Sequence, residues 1–221
     1  MIYIGSARSD ERGTYTGGAA GDQKQKNAPD YAGEVSMQVF YVHKKGWIVI
    51  RLKDPAQARA MACAMARACN NPNIGYNQAD RLGIVKCGTA SQQKTNCDCS
   101  SLVRVCFQEA TGKDPGNFIT SNEVKYLEKT GLVEVIPYTK QVPLYLGDIL
   151  VTKTKGHTVA VTSAPERGEM TDSDLTQTAL KVIAGYYGCD PERSQLLRAE
   201  GKNPEMVRAE VNRILSLSKK R

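Results

Sequence analysis

The segment from Asn96 to Gly112 constrains the fold most, because it encodes one amphipathic helix that begins at a cysteine. The apolar side chains after Cys99 recur at spacings that place them on one helical face, at Leu102, Val103, Cys106 and Ala110. Gly112 then predicts the end of the helix. Unpaired N–H groups and the positive end of the helix dipole favour a thiolate at Cys99, so we expect its pKa to fall from about 8.5 toward ~4–7.

The composition is that of an ordinary globular protein. The chain has 221 residues, of which 41% are hydrophobic and 24% charged, enough for one substantial domain and a small second one. No apolar run approaches the ~18 residues of a membrane span, and the N-terminus lacks a basic segment followed by an apolar one. We therefore expect synthesis in the cytoplasm without a signal peptide, and no membrane insertion.

The seven cysteines do not form a metal-binding pattern. Cys97 and Cys99 are too close to pair easily, and the odd number favours reduced thiols. Zinc sites need paired Cys and His ligands at fixed spacing, whereas this chain has two isolated histidines, His43 and His157. We predict no metal and no cofactor.

The net charge of +7 suits an anionic partner, with a solvated basic surface as the equal alternative. Nucleic acid would require an aromatic stacking face or a basic helical stripe, and the sequence shows neither. We therefore predict no nucleic-acid partner.

Periodicity predicts an α+β fold. Residues 5–32 are typical of a loop-rich segment, and two strand-like runs at 35–42 and 47–52 predict a β-hairpin whose turn holds a solvated His43. Asp54-Pro55 predicts the start of an Ala-rich helix. Later signals predict a loop around Ile74, a capping box at Thr120-Ser121-Asn122-Glu123, a strand at 133–136, and a second hairpin formed by 147–152 and 157–162.

The C-terminal part has the pattern of a separate helical module. Residues 166–174 have a linker composition, and three helices are predicted in 175–221, the last two starting at Asp190-Pro191 and Asn203-Pro204. We therefore predict a larger domain at 1–165 that includes a β-rich N-terminal extension, a linker at 166–174 and a small three-helix bundle at 175–221.

A cysteine nucleophile needs a base, and histidine is the side chain whose pKa suits that role near neutral pH. His157 opens a strand that could pack against the Cys99 helix. From these residues alone, a buried structural Cys99 and a surface His157 remain the favoured alternative.

A family resemblance changes this interpretation. Three segments occur in a characteristic order: Asp98-Cys99-Ser100-Ser101-Leu102-Val103, then Leu146-Gly147-Asp148-Ile149-Leu150-Val151, then Gly156-His157-Thr158-Val159-Ala160-Val161. Together they resemble the NlpC-type papain-like peptidoglycan cysteine peptidases and their CHAP relatives. The resemblance implies a papain-like domain, with the cysteine helix packed on an antiparallel sheet. It assigns Cys99 as the nucleophile and His157 as the base.

The same resemblance implies further site residues. Tyr76, in the stretch upstream of the cysteine, matches the pocket tyrosine, with a buried packing role as the equal alternative. Tyr76, Asp98 and Ser100 are expected to bind substrate or support an oxyanion hole that includes the Cys99 backbone N–H. The third catalytic residue stays unassigned: Glu166 and Glu169 are nearest by spacing, and Asp22-Gln23 could reach the site only if the N-terminal segment folds back.

The C-terminal module resembles the CW-seven type wall-binding repeats of phage lysozymes, on Lys181-Val182-Ile183-Ala184-Gly185-Tyr186-Tyr187-Gly188, Glu192-Arg193 and the helix at 207–215. Such repeats imply binding of muropeptide. Together the parts look like a phage or prophage endolysin that reaches the bacterial wall after release. The predicted function is hydrolysis of the peptidoglycan stem peptide, with muramoyl-alanine amidase activity or inactive wall binding as alternatives.

Overall fold

The computed structural model describes residues 1–9, 34–167 and 172–218. The chain divides into two compact units, Met1–Pro165 and Glu166–Arg221. The first unit mixes helices with an antiparallel sheet, so the α+β class is confirmed. Within the described residues, no helix is long and apolar enough to span a bilayer.

Eight strands are described in the first unit. Six form one sheet in the order β2-β1-β8-β7-β3-β6, and two form a short parallel pair. The strands are β1 Tyr3–Ala7, β2 Val35–Val39, β3 Trp47–Leu52, β4 Ile74–Tyr76, β5 Thr95–Cys97, β6 Val133–Pro137, β7 Ile149–Thr152 and β8 Thr158–Ser163.

Four helices complete the first unit and three lie in the second. The former are α1 Pro55–Cys69, α2 Gly83–Cys87, α3 Cys99–Thr111 and α4 Glu123–Glu128. The latter are α5 Asp172–Ile183, α6 Glu192–Ala199 and α7 Pro204–Ser218, which share a small core of Val182, Tyr187, Leu197 and Val207.

The predicted ends of three helices, α1, α3 and α7, are confirmed. Asp54 caps α1 by accepting from the Ala56 N–H at 2.8 Å, with Pro55 in the first turn. Helix α3 begins at Cys99 and ends at Gly112, whose φ of 72° lies in the left-handed region that glycine tolerates. Asn203 caps α7 in the same way, through the Glu205 N–H at 2.9 Å.

The first predicted hairpin is wrong. Strand β2 pairs with β1, and β3 pairs with β6 and β7, so the turn at His43 joins two strands that are not neighbours. The loop predicted from residue 5 onward contains most of β1, and the loop predicted around Ile74 contains β4. Pairing with distant strands overrides the local turn signal in each case. The second hairpin, β7–β8, is confirmed.

The motif Gly147-Asp148 holds the framework together. Gly147 has φ 82°, and a side-chain carbon there would lie 2.0 Å from the Ala58 carbonyl oxygen of α1. Asp148 is buried and makes two 2.8 Å bonds to the Arg51 guanidinium. The motif therefore fixes the close approach of α1 to the start of β7 rather than supplying chemistry.

The core of the first unit lies between helices α1 and α3 and one face of the sheet. Buried apolar residues from both layers form it, including Met61, Met65, Leu102, Phe107, Ile50 and Ala160. A second apolar cluster around Trp47 covers the opposite sheet face. Because α1 and α3 both contact β8, the N-terminus of α3 is held beside the start of that strand.

Candidate active site

A cavity of about 310 Å³ lies at the N-terminus of α3. All five site residues expected from the sequence line it: Tyr76, Asp98, Cys99, Ser100 and His157. The other lining residues are Arg8, Gln78, Arg81, Ile119, Thr120, Lys155 and Gly156. The chain thus brings residues from β1, β4, α3 and the β7–β8 turn to one place.

Cys99 is the first residue of α3, and its position is set by the cap before it. The Asp98 carboxylate accepts from the Ser101 N–H at 2.7 Å, while the Ser101 hydroxyl accepts from the Asp98 N–H at 2.9 Å. Arg81 holds the other Asp98 oxygen at 2.6 Å. Asp98 therefore caps the helix, and it orients the cysteine through the backbone.

The expected low pKa of Cys99 is wrong. Burial, with smaller contributions from the Asp98 and Glu123 carboxyl groups, raises the pKa of the thiol to about 12, although the Thr158 backbone and the Ser100 hydroxyl act to lower it. Loss of water around the sulfur outweighs the helix terminus. Cys99 therefore rests as a neutral thiol.

His157 is neutral at the same time. Burial lowers its pKa to about 4, with smaller effects from the positive charge of Arg8 and from His43. Its N–H and carbonyl are tied to Thr152, which closes the β7–β8 turn. The backbone of the next residue, Thr158, lies close enough to the Cys99 sulfur to lower the pKa of the thiol, so the start of β8 adjoins the start of α3.

Ser6, a residue that the sequence analysis did not identify, contacts the imidazole of His157. The Ser6 hydroxyl lies 3.2 Å from His157 Nε2. Strand β1 runs antiparallel to β8, with Gly5 opposite Ala160, so the end of β1 lies alongside the start of β8. Glu166 belongs to the second unit, and Glu169 and Asp22-Gln23 lie outside the described residues.

Tyr76 reaches the cavity from the β4–β5 pair. It lies opposite Cys97 in the parallel register, and Cys97 precedes the nucleophile candidate, Cys99, by two residues. Tyr76 is 5% exposed and belongs to the core, yet it also lines the cavity. Packing against the protein interior and facing substrate are therefore compatible for this side chain.

Glu123 does not form the predicted capping box. Helix α4 begins there, but Asn122 makes no side-chain cap bond and instead accepts from the Ile119 N–H at 2.8 Å. The Glu123 carboxyl is fully buried and accepts from the Thr158 hydroxyl at 2.7 Å. Burial, with a contribution from Asp98, raises its pKa to about 8, so Glu123 is mostly protonated at neutral pH.

All seven cysteines are free thiols. Across the described residues, no three His, Cys, Asp or Glu side chains gather closely enough to hold a metal ion.

Comparison with known proteins gives one match. The family model described as the endolysin-like domain matches residues 4–167, which include every residue that lines the cavity and all of the six-stranded sheet except Tyr3. No curated protein and no solved structure matches the chain. Since the model covers most of the sequence, the chain belongs to the endolysin-like domain family.

Proposed function

We propose that the protein is a peptidoglycan hydrolase that cleaves the stem peptide with Cys99 as nucleophile and His157 as base. The family points to lysis of the bacterial cell wall with peptidoglycan as substrate. The observation that carries the mechanism is that Cys99 and His157 line one cavity at the N-terminus of α3. A papain-like architecture fits this arrangement of a cysteine helix against an antiparallel sheet.

Because Cys99 and His157 are both neutral before the reaction, the thiol proton moves to the imidazole as the sulfur attacks. As Cys99 Sγ attacks the peptide carbonyl carbon, His157 takes the thiol proton, and the backbone N–H groups at the start of α3 stabilise the oxyanion. Collapse of the tetrahedral intermediate breaks the C–N bond, and the leaving amine takes the proton from His157. Water then attacks the thioester with His157 as base, which releases the carboxylate and restores the thiol.

Ser6 acts in this scheme as a positioning residue. In the required tautomer, His157 Nε2–H donates to the Ser6 hydroxyl, which leaves Nδ1 as the proton acceptor. A neutral hydroxyl does not stabilise imidazolium as a carboxylate would, which agrees with the pKa of about 4 for His157.

The second unit is proposed to bind the wall as a three-helix bundle of the CW-seven type, with muropeptide as its ligand. Its three helices, their small shared core and the Asn203 cap support this assignment. The unit would hold the protein at the wall after its release from the cytoplasm.

Identification of the products tests the proposed function. Incubation of the protein with purified sacculi and defined muropeptides should release new amino termini within the stem peptide, identified by mass spectrometry. A free lactyl group on muramic acid with an intact stem peptide would show amidase activity instead. Binding to sacculi without any released fragment would show an inactive wall-binding protein and would overturn the proposed hydrolase.

Substitutions at Ser6 should alter the pH profile of hydrolysis. For wild type, kcat/KM should fall only as pH approaches about 4, because protonated His157 cannot accept the thiol proton. Ser6→Asp places a carboxylate beside Nε2, so the pKa of His157 and the acidic limb should rise by about 1–3 units. Ser6→Ala should lower kcat/KM by about 3- to 10-fold, which corresponds to the free energy that one hydrogen bond contributes.

The measurement is kcat/KM on a dye-labelled stem peptide between pH 3.5 and 9, with thermal unfolding at each pH as the control for folding. A purely structural Ser6 would change stability and leave the position of the acidic limb where it is in wild type.

A further inference from the structure

Two arginines line the cavity, and they differ in their partners. Arg81 donates a hydrogen bond from each of its three nitrogens, to Asp98 Oδ2 at 2.6 Å, Asn117 Oδ1 at 2.7 Å and the Phe118 carbonyl at 2.6 Å. The Asp98 carboxylate balances its charge. Arg81 therefore belongs to the support of the α3 cap.

The hydrogen-bond partners that the structure describes for Arg8 do not balance its charge. Its Nε donates to the Ser6 hydroxyl at 3.4 Å, and its Nη2 donates to the carbonyl and hydroxyl of Ser36 at 3.1 and 2.9 Å. These acceptors are all neutral oxygens. Among the described residues, none accepts from Nη1 and no carboxylate pairs with the guanidinium.

The Arg8 guanidinium is partly removed from water, which is unfavourable for a positive charge that no carboxylate of the described residues balances. Arg8 is half-buried, and desolvation lowers its pKa below the ordinary value. A partly desolvated cation without a counterion costs free energy, which an anionic ligand recovers. Its side chain also lies close enough to lower the pKa of His157. The charge is thus placed beside the reacting groups.

We propose that Arg8 is a carboxylate-binding subsite, and that the protein cleaves stem peptides that present a free carboxylate next to the scissile amide. This inference rests on the proposed function. Guanidinium binds carboxylate through paired N–H donors, and the bonds are strong because both groups are charged. In the stem peptide this group is the α-carboxylate of the γ-linked D-glutamate or a carboxylate of diaminopimelate, and amidation of either removes it.

Matched peptides separate these two sources. One pair carries D-isoglutamate or D-isoglutamine at the second position, with lysine at the third. The other pair carries D-isoglutamine at the second position, with diaminopimelate or its amide at the third. Wild type should show a kcat/KM about 10- to 100-fold higher for the acid than for the amide in at least one pair, the value of a charged hydrogen-bonded contact.

Arg8→Gln should bring that ratio close to 1, and Arg8→Lys should restore part of it, because lysine keeps the charge and loses the planar fork. Lys155→Gln is the matched control. Lys155 is exposed, lines the same cavity and pairs with no carboxylate among the described residues, so its replacement removes a cation and should leave the ratio at its wild-type value. Loss of the contact between Arg8 and Ser6 would lower kcat/KM for the acid and the amide equally. The ratio of the two values therefore reports recognition of the carboxylate alone.

Binding supplies a readout that does not depend on turnover. Calorimetric titration of the Cys99→Ala protein should show tighter binding of the acid than of the amide, and this difference should disappear in Cys99→Ala/Arg8→Gln. Equal affinity for acid and amide, absence of binding to every peptide, or an equal loss for both forms in Arg8→Gln would each overturn the subsite. Full hydrolysis by Cys99→Ala would instead overturn the proposed function, so the two failures are distinct.

Discussion

Cys99→Ala should abolish hydrolysis of purified cell walls and of labelled stem peptides, with a fall in rate of about 10⁴-fold or more. The reason is that the sulfur forms the covalent intermediate, and alanine offers no atom in its place. Folding should be preserved, because alanine favours the helix and the lost thiol is neutral with a raised pKa. Wall turbidity and peptide release measure the activity, and thermal unfolding measures the stability.

Cys63→Ala is the matched control for Cys99→Ala. Cys63 is an exposed free thiol on α1 and does not line the cavity. Its replacement should leave both the rate and the thermal unfolding unchanged. Hydrolysis by Cys99→Ala at the wild-type rate would place the nucleophile elsewhere and would return Cys99 to the structural role that the residues alone favoured.

Elements governed by local interactions could be predicted from the sequence. The cap of α1 at Asp54, the start of α3 at Cys99 and its end at Gly112 each depend on residues within four positions of the helix end. The β7–β8 hairpin depends on one short turn and was predicted for the same reason. In these cases the information lies next to the element that it determines.

Strand order could not be predicted, because it depends on partners far apart in the chain. A turn between two strand-like runs predicts a hairpin, yet β2 pairs with β1 while β3 pairs with β6 and β7. The burial of Glu123 is a similar case. Its spacing from Thr120 satisfies the capping-box pattern, but its partner is the Thr158 hydroxyl on β8.

The candidate site was partly predictable. The order of Cys99 and His157 along the chain identifies a nucleophile and a base candidate, and the structure places both at one cavity. Ser6 could not be identified, since it lies 151 residues before His157 and reaches it only because β1 pairs with β8. The pKa of Cys99 was predicted in the wrong direction because its burial is a property of the packed fold.

Asp148→Ala should be the most destabilising of the substitutions considered, by about 3–5 kcal/mol. Both carboxylate oxygens bind Arg51 at 2.8 Å, and one also accepts from the Tyr145 N–H at 2.8 Å. The two side chains are only 9% and 2% exposed. Alanine would leave the Arg51 guanidinium buried against the Pro143 carbonyl and the Tyr145 ring, without its counterion.

The surface pair Arg104–Asp114 provides the comparison, because Arg104 also holds both oxygens of its partner, at 2.8 and 2.6 Å. Asp114 is 37% exposed, so water replaces the lost contact and Asp114→Ala should cost about 0–1 kcal/mol. The single tryptophan, Trp47, is buried in β3 and reports unfolding of the first unit in a denaturant titration. Equal losses in the two variants would show that the Arg51–Asp148 pair does not hold β3 to the start of β7, and that Gly147 alone sets the approach of α1.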